Sequence, residues 1–470
     1  MNRASTVASR AARRLAGPCA ALGIALALGM GWAAPNRVQA AAPESVFGGP
    51  VMLTYRKEYP VIHYTQTPRN NPVARLQREL ASGKVKLQFH GVRGYLDSLL
   101  AALDISPASQ TLVYSKSSLQ TGSITAATPR AIYFNDRTYV GWVQGKHRVI
   151  EIATMDRKLD QVFYTLANDP PGGKPHVQRK VLQCLACHDT YELSGGGVPR
   201  FLLMSTYVDV KGRQLTHEGQ IITSQQTPLK YRWGGWYVTG LTGKQVHLGN
   251  IQVTSVNQLL HLDKVRRVNV TKLDGLFDTK PYITDKSDIV ALLVLQHQVD
   301  VQNLITRVNF EVREALAKAG GSKRERASGA KLSDHTRQAL RGYMDSLVDT
   351  MLLDGATPFT SKITGNSGFK AWFESQGPHD PQGRSLRDLD LTTRLFKYRM
   401  SFLIYSPAFN DLPAYAKNYL YGRFAAILTG KDLSGKYTYL GDAERQTILE
   451  ILKATKPDFA HFLTEGKDIA

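Results

Sequence analysis

The sequence predicts an α+β fold, with a β-rich N-terminal unit, a central unit of helices and hairpins, and a mainly helical C-terminal part. Short runs rich in β-branched and aromatic residues lie between Gln110 and Thr165, separated by turn signals. Helical apolar spacing dominates from Ser287 onward. The chain has 470 residues, 43% of them hydrophobic, enough to bury a sizeable core without help from disulfides.

Residues 1–40 read as a signal peptide. Arg3, Arg10, Arg13 and Arg14 form a basic start, "CAALGIALALGMGWAA" an apolar middle, and Val38-Gln39-Ala40 a small-residue cleavage site. The competing reading is an uncleaved anchor, because Leu15 to Ala34 is long enough to span a bilayer. A twin-arginine reading of Arg13-Arg14 lacks the usual bulky and basic followers. Cleavage after Ala40 removes Cys19 and leaves Cys184 and Cys187.

Residues 41–170 form the β-rich unit. "VARLQRELASG" and "YLDSLLAALDI" carry helical spacing, the first stopping at Gly83, the second followed by Pro107. "TLVYSKSSL", "AIYFNDRTYVGWV", "RVIEIATM" and "QVFYTL" are strand candidates, with a hairpin turn at Asn135-Asp136. "NDPPGGKP", residues 168–175, reads as a linker.

The central unit is placed at 171–320. It contains hairpins turning at Lys211-Gly212 and Thr242-Gly243, then a helix over 287–319. A basic Gly/Ser-rich stretch, 321–333, reads as an exposed loop. The C-terminal unit, 334–470, is expected to hold helices at 334–354, 387–406, 413–428 and 442–455, the last capped by Asp442 and ending before Pro457.

The decisive motif is "VLQCLACHDT". Covalent haem attachment needs two thiols and an imidazole on one side. Cys184, Cys187 and His188 meet that need if residues 176–188 are helical, because offsets of three and four share a face. Val177, Val181 and Leu185 would continue the apolar stripe. A zinc site would need two further ligands, with no other cysteine left to supply them. A thioredoxin-like dithiol would need a strand-to-helix turn within a βαβ unit.

These residues resemble the attachment site of c-type cytochromes, which implies one covalent haem c held by Cys184 and Cys187 with His188 as an iron ligand. Small class I cytochromes place this motif near the start of a domain of about one hundred residues. Here it lies deep in the chain. The longer run "CLACHDTYELSGGGVP … TPLKYRWGGWYVTG … HLGN … SDIVALLVLQHQ" is similar to a group of large exported monohaem proteins.

Two histidines are candidates for the second iron ligand. His297 interrupts an aliphatic seam of Val290, Val294, Val301, Leu304 and Val308. Its alternative role is a core histidine bonded to Gln298 or a backbone carbonyl. His247 lies on a candidate strand after Arg232, Trp233 and Trp236, residues suited to covering a haem face and forking its propionates. The same three residues would equally pack a sheet on a helix. Met204 reads as core. A backbone carbonyl near Pro199 is expected to fix the His188 ring through its second nitrogen. "HEGQI" lacks the second histidine of a zinc protease, Ile221 standing in its place.

The formal charge is +20, and +15 (20 − 5) once the five arginines of residues 1–40, which contain no acid, are removed. An exported basic protein attracts an acidic redox partner protein or a membrane-surface electron carrier, with nucleic acid excluded by compartment. No segment after the signal is apolar and long enough to be an integral membrane segment. The expected function is periplasmic electron transfer by an exported cytochrome. The alternative is a haem enzyme with an open iron position, peroxidase-like or a small-molecule oxidoreductase.

Overall fold

Residues 149–156 alternate half-exposed and buried over their first six positions, the period-two pattern of a strand with two different faces. The computed structural model describes residues 61–145, 148–170, 175–189 and 197–465. The expected signal peptide, residues 1–40, lies outside them, as does half of the expected 168–175 linker. The strands are β1 (Thr111–Val113), β2 (Arg130–Phe134), β3 (Thr138–Trp142), β4 (Val149–Asp156), β5 (Asp160–Ala167), β6 (Val177–Lys180), β7 (Met204–Thr206), β8 (Gln220–Ile222) and β9 (Trp236–Tyr237).

Among the described residues, one sheet runs in the order β6-β5-β4-β3-β2-β1-β9, and β7 pairs with β8 separately. All of these pairings are antiparallel. The predicted Asn135-Asp136 turn joins β2 to β3, held by Asn135 Oδ1 accepting from the Thr138 N–H at 3.0 Å.

Helices α1 (Pro72–Ala81) and α2 (Leu96–Ala102) precede the sheet. The α1 cap residue Asn71 accepts from the Ala74 N–H at 2.8 Å and donates to Tyr164 Oη on β5 at 3.0 Å. A cap bond thus also docks the helix. After the sheet come α3 (Leu182–His188), α4 (Leu262–Val265), α5 (Ile289–Ala319), α6 (Lys323–Ser328), α7 (Asp334–Met351), α8 (Phe369–Glu374), α9 (Pro407–Asn410), α10 (Ala414–Leu428), α11 (Asp442–Thr455) and α12 (Pro457–Thr464). The α+β class is as the sequence predicts, with strands mainly before residue 240 and helices mainly after it.

Helix α5 is the central element. Asp288 caps it with Oδ1 accepting from the Val290 N–H at 2.7 Å, while Oδ2 takes the Asn366 and Ser367 N–H groups at 2.7 and 2.8 Å. From Ser287 to Val299 every residue is buried. No helix among the described residues is long and apolar enough to cross a membrane.

Four expectations are corrected. The described residues from 61 to 465 belong to one compact unit. Strand β6, assigned to the central unit, pairs with β5, and β9 pairs with β1, so the sheet crosses the 170/171 boundary. The 321–333 stretch contains α6, closed by a capping box between Ser322 and Glu325. Residues 387–401 are irregular because Asp390 Oδ1 accepts from the Thr392 and Thr393 N–H groups at 2.6 and 2.8 Å, and Leu391 takes φ +61°. These local bonds compete with a helical ladder. Finally, 177–180 is strand, not helix, because its backbone groups satisfy those of β5.

The predicted turn at Lys211-Gly212 is present, bracketed by a bridge between Val208 and Gln214. Gly212 has φ +78°, and a Cβ there would lie 2.7 Å from the carbonyl oxygens of both Tyr114 and Ile124. Gly83, after α1, has φ +75° with open space around it. Gly83→Ala should therefore lose about 1 kcal/mol from backbone strain alone. Gly212→Ala should lose about 1–3 kcal/mol more, from overpacking against backbone. Urea unfolding of the two variants checks the difference.

Candidate functional site

The motif sits where the sheet edge turns into a short helix. Strand β6 ends at Lys180, Val181 intervenes, and α3 carries Cys184, Cys187 and His188 one turn apart. Leu185 is fully buried and anchors α3, while Cys184 is half-buried and Cys187 exposed. Both thiols are free. The condition for sharing a face is met by residues 182–188 alone.

His188 is fixed by a reciprocal pair of bonds. Its Nδ1 lies 2.7 Å from the Arg200 carbonyl oxygen, and its own carbonyl accepts from the Arg200 N–H at 2.9 Å. A carbonyl can only accept, so Nδ1 carries the proton and Nε2 of the neutral ring keeps its lone pair. This is the carbonyl near Pro199 that the sequence led us to expect. The ring lies on Phe163 of β5, centroids 4.6 Å apart.

A second reciprocal pair holds the next residue. Asn303 of α5 accepts from the Phe201 N–H at 2.8 Å and donates to the Phe201 carbonyl at 2.9 Å. Gln161 of β5 donates to the same Asn303 oxygen at 2.8 Å. The Phe201 ring packs on Tyr139 of β3 at 4.7 Å. The circuit from Phe163 through His188, Arg200, Phe201 and Asn303 thus returns to β5.

Charge beside Cys184 comes from Lys180 and from an ion pair. Arg130 on β2 reaches Glu151 on β4, Nη2 to Oε2 at 2.6 Å, by crossing β3 at Gly141. A Cβ at Gly141 would sit 2.4 Å from that guanidinium. Burial, then the Glu151 carboxylate, push the Cys184 thiol up to about 12. Burial also raises Cys187. Both remain thiols at neutral pH, unlike the low-pKa thiolate of a redox dithiol. Among the described residues, no group of three or more His, Cys, Asp and Glu converges as zinc would need.

Comparison with protein-family models, curated proteins and solved structures returns no match for this chain.

The remaining predicted residues lie elsewhere, with partners of their own. His297 is a core histidine. Its Nδ1 is 2.7 Å from Gln225 Oε1 and its Nε2 is 2.8 Å from Ser401 Oγ, with Phe396 against the ring at 4.8 Å. Neither nitrogen is free for iron, and the partners are not the Gln298 or carbonyl expected. His247 is buried in a turn region, not on a strand, with Nδ1 accepting from the Gly249 N–H at 3.1 Å and Trp233 edge-on at 5.5 Å. The two rings and His188 lie among different neighbours.

Arg232 forks two backbone carbonyls in place of propionates: Nε donates to Thr227 and Nη2 to Gln225, both at 2.6 Å. Trp233 and Trp236 are buried, and Trp236 Nε1 donates to the Met204 carbonyl at 2.9 Å. Met204 itself is half-buried, its sulfur 3.9 Å from Gln220 Nε2. These residues pack the 204–253 region. Reasoning from sequence missed Phe163, Phe201 and Asn303. The Pro199-Arg200-Phe201 step was the one local signal, and nothing in the helix marked Asn303.

Burial depresses His297 and His247, as it does His188. The His297 ring is held down to about 3, and His247 to about 4 with Arg266 adding to the effect. Both are neutral in the folded chain above those values, whereas unfolded histidine takes a proton near 6.5. Their stabilisation is therefore present above pH 6.5 and lost as pH falls toward 4 and 3. Asp300 works the other way, its carboxyl raised to about 7 by burial despite bonds from Gln225 and Gln296. The sign is read from a difference. Relative to His297→Gln, the wild type should lose up to about 1.4 kcal/mol per pH unit between pH 6.5 and 4, measured by urea unfolding at each pH.

Proposed function

We propose that this chain is an exported c-type cytochrome holding one haem through Cys184 and Cys187, with His188 as axial ligand. The observation that carries the reading is the His188 clamp, which places the ring proton on Nδ1 and leaves Nε2 available. An outer hydrogen bond of this kind sets the orientation and basicity of metal-bound imidazoles. Two free thiols within one helical turn supply the remaining donors. When bound, haem takes up and releases a single electron.

The role assigned to the chain is electron transfer between periplasmic or membrane-surface partners, with its positive charge favouring an acidic redox partner. The commitment of both His297 nitrogens favours a second reading, a haem oxidoreductase with an open iron position. His188 would then hold the iron from one side only.

Co-expression of the full chain with haem-maturation machinery tests the proposal. The expected product is a single haem that stays attached under denaturing conditions. Cys184→Ala or Cys187→Ala should weaken that attachment, and the double variant should lose it. Failure of the wild type to acquire covalent haem, alongside a positive control cytochrome, would overturn the reading. A low-spin ferric spectrum that resists carbon monoxide after reduction supports electron transfer, whereas a high-spin spectrum with rapid carbon monoxide binding supports the oxidoreductase.

Asn303 gives a further check. Asn303→Leu removes both bonds to the Phe201 peptide and should loosen the Arg200 carbonyl that orients His188. The expected result is a shifted reduction potential with covalent haem retained, measured by redox titration. A fall in melting temperature at unchanged potential would mean that Asn303 holds only the fold.

A further inference from the structure

A cavity of about 230 Å³ lies beside the start of α1, between the β2–β3 and β4–β5 turns and the segment that opens α9. Arg75, Arg78, Arg137 and Arg157 line it, together with Asp136 and Asp156. Four guanidinium groups in one hollow require an account of where their countercharge is.

The two carboxylates offset it only in part, since the charge of Asp156 faces neutral donors and Asp136 is shared between Arg387 and Arg137. Asp136 is bonded to Arg387, outside the lining. Asp156 accepts from the Asn70 N–H at 2.6 Å, Asn71 Nδ2 at 2.8 Å and the Lys158 N–H at 2.9 Å. Arg157 is occupied by a two-pronged pair with Asp411, the Nη2 bond being 2.7 Å. Among the described residues, no ion pair engages Arg75, Arg78 or Arg137.

Two further features make the arrangement unfavourable when empty of anion. Arg137 is half-buried, and burial followed by the nearby Arg75 guanidinium hold it below the usual guanidinium range against the opposing pull of Asp136. Arg75 also stands near the N-terminus of α1, where the helix dipole disfavours cations, and no acid occupies that first turn. Arg75 and Arg78 are exposed, so water screens them on one side, but their repulsion of half-buried Arg137 is stronger than in bulk water. A bound oxyanion would relieve both effects.

We propose that this cavity binds a small phosphate-class oxyanion, either free phosphate or the phosphoryl group of a small ester, held by Arg75, Arg78 and Arg137. Guanidinium forks match such oxygens two at a time. The volume suits a small anion, being below the roughly 300–1,000 Å³ typical of drug-sized ligands. The proposal does not depend on the haem reading, because it shares no residue with the Cys184–His188 helix.

The test is titration calorimetry of the full chain at constant ionic strength, with inorganic phosphate, glycerol phosphate and chloride as probes. Saturable binding of phosphate at one site per chain is expected, with no saturable response to chloride. Arg75→Gln/Arg137→Gln should weaken phosphate binding at least tenfold. Arg213→Gln, which alters an exposed ion pair with Asp209, should leave it unchanged. Binding of glycerol phosphate as well points to an ester, and binding of phosphate alone to the free ion. Circular dichroism confirms that each variant is folded, and a phosphate-induced rise in melting temperature lost only in the double variant gives a second readout. Equal responses to phosphate and chloride, or equal phosphate binding by the folded double variant, would overturn the proposal.

Discussion

Where a helix is buried on every side it cannot send its polar side chains to water, so each must find a partner inside the protein. That constraint governs α5. Gln296 bonds Thr223, His297 bonds Gln225 and Ser401, Gln298 bonds Asn135 and Tyr139, Gln302 bonds Asp136, Asn303 bonds Phe201, and Asn309 bonds Asp160. These partners come from the sheet, from the 201–225 region and from the C-terminal part. The helix is therefore a shared wall for the segments it joins, whose main core is continuous.

The same constraint decides which histidine has a free nitrogen. His297 is on the buried helix, where a ring with an unmet nitrogen would be costly, and its two bonds leave nothing to offer a ligand. His188 is at the end of a short helix at the sheet edge, half-buried, with one nitrogen fixed by a backbone carbonyl. Asn303, six residues after His297 on α5, contributes to that second arrangement through the Phe201 peptide. One helix thus closes one imidazole and helps orient another.

Much of the fold was legible in the sequence because its signals are local. The Asn135-Asp136 turn, the Gly83 stop, the start of α11 at Asp442 and the spacing of α5 depend on a few adjacent residues, although Gly441 and not Asp442 holds the α11 cap position, with no side-chain cap bond. The failures come from distant partners. Val177 to Lys180 carry no mark of a strand, and become one because β5 has unpaired backbone groups to satisfy. Arg232, Trp233 and Trp236 have chemistry suited to a cofactor face, yet their carbonyl and packing partners lie elsewhere in the 204–253 region. For the site, the three motif residues and the clamping carbonyl could be read from the sequence. The Phe163 floor and Asn303 could not, since each acts across more than a dozen residues of chain or from another element.

The order of strands also has a kinetic side. Strands β1 to β6 follow one another along the chain, so each new strand adds to its immediate predecessor. The pairing of β1 with β9 must wait until residues 236 and 237 have been made. As the polypeptide leaves the ribosome or a translocation pore, residues 189–235 emerge after the two thiols and before that distant edge can close. Contacts of long sequence separation form late. Cys184 and Cys187 therefore pass through an interval in which the sheet behind them is paired while Arg200, Phe201 and α5 have yet to arrive, leaving both sulfurs open to any factor that must reach them before folding is complete.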